Sequence, residues 1–234
     1  MAFVDECKAF FVFIGRLFRD FFEGQSRILK PLLFILCVIL LAGGAFFGYR
    51  MYQVSQEQEA HKYFSEYLES FQTAQTTNSA DEWERMVSLF DRGYQQHKAR
   101  TIAPLFLVLK SDAQLQLGHF DGSIATLQEA LNMLSPQSHL YPLLATKLAL
   151  MQLDAKDESI ANAGLEKLIA LARTENNSLK DMALFYLGRY YWSKDNIEEA
   201  RAAWQELKDS ELAQKAYPSP WVSQAESALQ QLAS

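Results

Sequence analysis

From Pro31 to Tyr49 the chain runs for nineteen residues without a charge, PLLFILCVILLAGGAFFGY. As a helix this run spans about 28 Å, close to the thickness of a bilayer core. Beyond it the apolar residues separate and recur every three or four positions, the pattern of helices with one buried face. Glu57 to Gln75 contains no Gly or Pro and carries Ala60, Phe64, Tyr67, Leu68 and Phe71 on such a stripe, so it predicts a helix continuing the apolar one. Ser79-x-x-Glu82 has the spacing of a capping box opening a partner helix through Trp83, Val87 and Phe90. At the other end, Ser219-Pro220 sets a cap residue before a proline at the first helical position. Trp221, Ala225, Leu229 and Leu232 then form one stripe, a predicted closing helix over 219–234.

Between these ends the pattern repeats. SDAQLQLGHFDGSIATLQEAL from Ser111, ALMQLDAKDESIANAGLEKLI from Ala149 and GRYYWSKDNIEEARAAWQELK from Gly188 align at steps of 38 and 39 residues. Small residues recur at Ser111, Ala149 and Gly188, and again at Ser123, Ala161 and Ala200. Large apolar residues follow at Leu127, Leu165 and Trp204, and a further register falls at Ala130, Leu168 and Leu207. Each unit therefore reads as two antiparallel helices joined by a short polar turn, GHFD, AKDE or KDN. Gly188 lies inside a helical pattern, where glycine costs about 1 kcal/mol relative to alanine. Its retention predicts a close helix–helix approach, with Ala200 on the opposite surface and Trp204 filling the gap toward the neighbouring unit.

The predicted fold class is all-α, an N-terminal transmembrane helix followed by an α-solenoid of helical hairpins. The expected divisions are a Phe-rich amphipathic segment (1–30), the membrane helix (31–49), a linking helix (50–78), divergent repeats (79–218, at about 104–139, 142–175 and 181–212) and a capping helix (219–234).

Charge adds direction. Lys8, Arg16, Arg19, Arg27 and Lys30 precede the apolar run, whereas Arg50 and Lys62 are the nearest cations after it. This bias puts the N-terminus in the cytoplasm and the bulk of the chain across the membrane. In a bacterial inner membrane that side is the periplasm. Gly43-Gly44-Ala45 could serve a signal peptidase, but the apolar run exceeds the usual length of a signal peptide's core, so an uncleaved anchor is expected. Seven phenylalanines between Phe3 and Phe22 are interspersed with charges, as in a helix lying in the membrane interface or docked on a partner's membrane helices. Gly44-x-x-x-Gly48 offers a surface for close approach by another membrane helix.

From Met51 onward there are 16 Lys and Arg against 24 Asp and Glu. An acidic domain without basic clusters is ill suited to nucleic acid. Both cysteines, Cys7 and Cys37, precede this part, so no disulfide stabilises it. Leu36 before Cys37 argues against lipid attachment there.

Leu184-x-x-Leu187-Gly188-x-x-Tyr191 followed by Ala200-x-x-x-Trp204 resembles the tetratricopeptide pattern, and Leu148-Ala149, Ala161 and Leu165 resemble it less closely. With the membrane helix, the following GYRMY and the linking helix, the whole architecture looks like the YfgM-type family of ancillary subunits of the SecYEG translocon. The resemblance implies a periplasmic domain of tetratricopeptide type at the inner membrane, with translocon subunits and periplasmic chaperones as protein partners. It also implies binding on the concave face of the first helices. In that register the groove residues are Leu105, Val108, Asp112, Thr146, Leu150, Phe185, Arg189 and Trp192.

Residues for chemistry are sparse. His61, His97, His119 and His139 lack metal-site spacing, and no Gly-rich phosphate loop or nucleophile elbow occurs. Asp157-Glu158 and Glu198-Glu199 sit where helix starts are predicted and suit the helix dipole. Asn176-Asn177-Ser178 matches a glycosylation sequon, relevant only in a eukaryotic secretory setting. The expectation is a non-enzymatic, membrane-anchored protein-binding module with no catalytic residue, metal, cofactor or small-molecule substrate. It would serve a translocon or chaperone network, or act as a scaffold for another envelope assembly.

Overall fold

The structure, a computed structural model, describes residues 29–174, 177–210 and 219–233. The Phe-rich stretch and Asn176 of the sequon lie outside the described residues. Among the described residues every regular element is an α-helix. They are α1 (Leu29–Thr77), α2 (Ala80–His97), α3 (Ala103–Gln116), α4 (Phe120–Asn132), α5 (Leu140–Leu153), α6 (Glu158–Arg173), α7 (Lys180–Ser193), α8 (Ile197–Asp209) and α9 (Pro220–Ala233). The chain divides into two compact units, Met1–Gln58 and Glu59–Ser234.

In the first unit, α1 is long and apolar enough to cross a membrane. Leu36, Ile39, Leu40, Leu41, Phe46 and Phe47 each expose more than half of their surface, unlike a helix buried in a soluble core. A Cβ added at Gly43, Gly44 or Gly48 would meet nothing within 4 Å.

The second unit is a stack of helices. Its first apolar cluster joins the C-terminal part of α1 to α2 and α3. Phe71 meets Trp83 at 5.4 Å and Phe90 at 5.8 Å between ring centroids, and Phe64 meets Phe106 at 5.2 Å, all edge to face. Ser79 caps α2 as its spacing predicts, accepting a hydrogen bond from the Glu82 amide at 3.3 Å. Gly93 lets α2 and α3 come together, since a Cβ there would lie 2.5 Å from Cε1 of Phe106.

Three hairpins follow, α3–α4, α5–α6 and α7–α8, matching the repeats read from the sequence. In the first, the small pair is polar. Ser111 and Ser123 are fully buried, and each hydroxyl donates to the other's carbonyl, at 2.9 and 2.7 Å. In the third, Gly188 permits a close approach, and Trp204 lies nearer to it than Ala200 does. The three atoms nearest an added Cβ all belong to the Trp204 indole, the closest at 2.3 Å. Trp204 thus covers the first helix of its own hairpin, its indole N–H donating to the Phe185 carbonyl at 3.1 Å, and it also lines a hollow with α9.

The middle hairpin departs from the expected register. α6 buries Gly164, Leu168 and Ala172, while Ala161 and Leu165 are only half-buried. Leu168 nevertheless keeps the register of Ala130 and Leu207 and is fully buried like them. Close approach falls on Gly164, where a Cβ would lie 2.8 Å from the Ala149 carbonyl oxygen. Asp157 caps α6, accepting from the Ser159 amide (2.8 Å) and hydroxyl (2.7 Å). The hydroxyl first, then the Ser159 and Ile160 amides, hold this carboxyl below its ordinary pKa. Glu198 and Glu199 lie in the first turn of α8, also as dipole partners.

Candidate functional site: a groove along the first helices

The first helices of the hairpins are apolar on more than one side, because each touches its own partner and its neighbours. What they leave open forms the site. Three adjoining hollows run along α5 and α7. One of about 310 Å³ is lined mainly by Leu143, Leu150, Met151, Met182 and Tyr186, with Lys147 and Asp154. The next, about 430 Å³, shares Leu150, Asp154 and Tyr186 with it and adds Arg189, Tyr190 and Lys194. The third, about 370 Å³, shares Arg189 and continues over Trp192 to Ser223, Gln224, Ser227 and Gln231 of α9. Shared walls make the three a single open groove.

The eight residues expected on this face divide. Leu150, Arg189 and Trp192 border the groove with exposed or half-exposed side chains, and Trp192 is 43% exposed. Phe185 lines the third hollow but is 93% buried, so it serves as floor. Thr146 is fully buried and bonds its hydroxyl to the Pro142 carbonyl at 2.8 Å; it belongs to the core and offers nothing to a ligand. Leu105 and Val108 are half-buried against the first apolar cluster. Asp112 is ion-paired with Lys147, which ties α3 to α5 across two repeats.

Sequence reasoning missed Leu143, Met182, Tyr186, Tyr190 and Lys194. The signal was one position away. Thr146 and Phe185 are buried, and the residue after each, Lys147 or Tyr186, borders the groove. The face that opens is therefore turned by about 100° from part of the expected register.

The charges of the groove are arranged around aromatic rings. The Arg189 guanidinium lies 5.9 Å from the Tyr186 ring centroid, and the Lys194 ammonium 5.8 Å from that of Tyr190. Neither has a carboxylate partner among the described residues. At the far end α9 is fastened in place. Trp221 packs on Phe185 and Tyr186 at 5.3 and 5.4 Å, and the Ser219 hydroxyl donates to the Asp181 carboxylate at the start of α7.

Among the described residues no group of three or more His, Cys, Asp and Glu is placed to hold a metal ion. His97 is buried between the rings of Tyr63 and Phe106, and His119 is an exposed turn residue. The groove offers aromatic, aliphatic and cationic contact surface.

No curated protein and no solved structure matches the chain. A family model does: that of the tetratricopeptide repeat-like domain matches residues 31–233. Domains of this kind are typically non-enzymatic scaffolds for protein partners. The helical hairpins, their glycine-mediated contacts and a match over most of the length agree, and the chain belongs to the tetratricopeptide repeat-like domain family.

Proposed function

We propose that this protein is a membrane-anchored, non-enzymatic module that captures polypeptide segments beside a membrane. The observation that carries the reading is the open groove along α5, α7 and α9, whose aromatic and cationic side chains are exposed while their supports are buried. Large apolar and aromatic side chains held on rigid helices supply contact area at low entropic cost. The anchor is the apolar part of α1. Tyr49 and Tyr52, more than half exposed at its end beside Arg50, suit the headgroup region. The cation bias before the span supports a cytoplasmic N-terminus and a repeat domain on the opposite side, in a bacterium the periplasm. The divisions at 1–30, 31–49, 50–78, 79–218 and 219–234 belong to the same proposal.

Assistance to protein translocation, with translocon subunits and periplasmic chaperones as partners, is the finer form of the reading and rests on the resemblance to YfgM-type proteins. Gly44 and Gly48, with open space around them, would be the contact toward a membrane partner. In-cell photo-crosslinking tests it. Probes at Phe46 and Trp192 are expected to capture translocon subunits from the span, and exported chains or chaperones from the groove. One unrelated envelope complex captured at both positions would overturn the translocation reading and leave a scaffold.

A further inference from the structure

The groove's charge points to the chemistry of its occupant. The domain beyond residue 50 carries eight more acidic than basic side chains, yet the middle hollow carries Arg189 and Lys194 against Asp154 alone, while Lys147 is neutralised by Asp112. A surplus of positive charge in the groove of an acidic domain is not a reflection of composition. Nor do the two cations serve the fold through ion pairs, since their charged ends meet the Tyr186 and Tyr190 rings and solvent. Lys147, which lines the first hollow, already has its carboxylate in Asp112. Arg189 is left with unused donors of a kind that suits a carboxylate in a two-pronged contact.

The position of Arg189 decides the source of that carboxylate. It stands where two hollows meet, with a wall of Leu143, Leu150, Met151 and Met182 farther along on one side and Trp192 with the polar face of α9 on the other. A bound chain can therefore extend past Arg189 in both directions. A terminal carboxylate would leave one side empty, whereas an acidic side chain within a segment lets both be filled. Met182, half-buried in this wall, adds tolerance, because a flexible thioether adapts to apolar side chains of different shape.

Resting on the reading of the groove as a polypeptide-binding face, we infer that it recognises extended segments in which an internal Asp or Glu lies beside bulky apolar residues, the carboxylate meeting Arg189 with support from Lys194. The apolar residue enters the hollow between Leu143 and Met182, and polar residues continue along α9.

The test uses the full-length protein in lipid nanodiscs and fluorescein-labelled peptides, acetylated and amidated at their ends. One series carries Leu-Leu-Glu-Ser-Gln, and a second replaces Glu with Gln. A third replaces Glu with Gln and keeps a free C-terminal carboxylate. Fluorescence anisotropy is expected to give about tenfold weaker binding for the Gln peptide. That difference should vanish in Arg189→Gln, and Lys194→Gln should reduce it. Arg189 is exposed, so an unchanged thermal melt will separate lost recognition from lost fold. Equal affinity for the Glu and Gln peptides overturns the inference, as does a preference that survives Arg189→Gln or tighter binding by the free-carboxylate peptide. If groove crosslinks to polypeptides persist in any of these cases, the inference alone falls. If they are absent too, the groove reading falls with it.

Discussion

At Gly188 the missing side chain leaves room for an indole. Trp204 lies against it and bonds to the Phe185 carbonyl, so a methyl group placed 2.3 Å from the indole nitrogen forces the ring away. Gly188→Ala gains up to about 1 kcal/mol in helix propensity, but overpacking and the displaced indole cost more. The expected net effect is a loss of about 1–3 kcal/mol in urea denaturation. An unchanged midpoint would show that the indole moves freely. Tyr94 gives a second test at this scale. Burial first, and then the hydrogen bond and charge of Glu129 at 2.7 Å, push its phenol from about 10 up to about 12. Below pH 10 the phenol is protonated in both folded and unfolded chains, and its contribution is intact. As pH rises from 10 to 12 the unfolded chain loses the proton first, so stability falls. Relative to Tyr94→Phe, the parent should lose stability over this window, and parallel pH curves would contradict the assignment.

At the scale of elements, much was legible from periodicity. The stripes predict α1, α2, the three hairpins and α9, and the register Ala130, Leu168, Leu207 is fully buried throughout. The rest was hidden in turns. The three-residue turns 117–119 and 194–196 each place their middle residue at positive φ, Gly118 at 75° and Asp195 at 61°. The longer turn 154–157 contains no positive-φ residue. In α6 the close contact falls to Gly164 rather than to Ala161 or Leu165, although twelve residues separate the small positions in every repeat. Its positive φ makes Asp195 a strained position that glycine occupies without a Cβ penalty. Asp195→Gly should raise stability by about 0.5–1 kcal/mol, read as an upward shift in melting temperature. A decrease would mean that the aspartate makes a contact worth more than the strain.

For the whole molecule, the sequence separates an exposed apolar helix from an acidic repeat domain, and the structure assigns these features to two compact units. The proposed binding face was only partly legible. Leu150, Arg189 and Trp192 could be found by transferring a register, because the first helices keep their spacing. Tyr186 and Leu143 could not, since which apolar residue is core and which is rim depends on how closely neighbouring helices approach. Ser111–Ser123, Gly164 and the Trp204–Gly188 contact set those approaches. Together they fix how the helices that line the groove are turned, and Trp204 itself lines its third hollow.

The central claim is that polypeptides bind along this one face. The most direct measurement compares photo-crosslinking in native membranes from Leu143, Tyr186 and Trp192 with crosslinking from Arg201, an exposed residue of α8. The account predicts shared polypeptide adducts at the three groove positions and little or none at Arg201. Equal capture at all four positions, or capture at Arg201 alone, would contradict it.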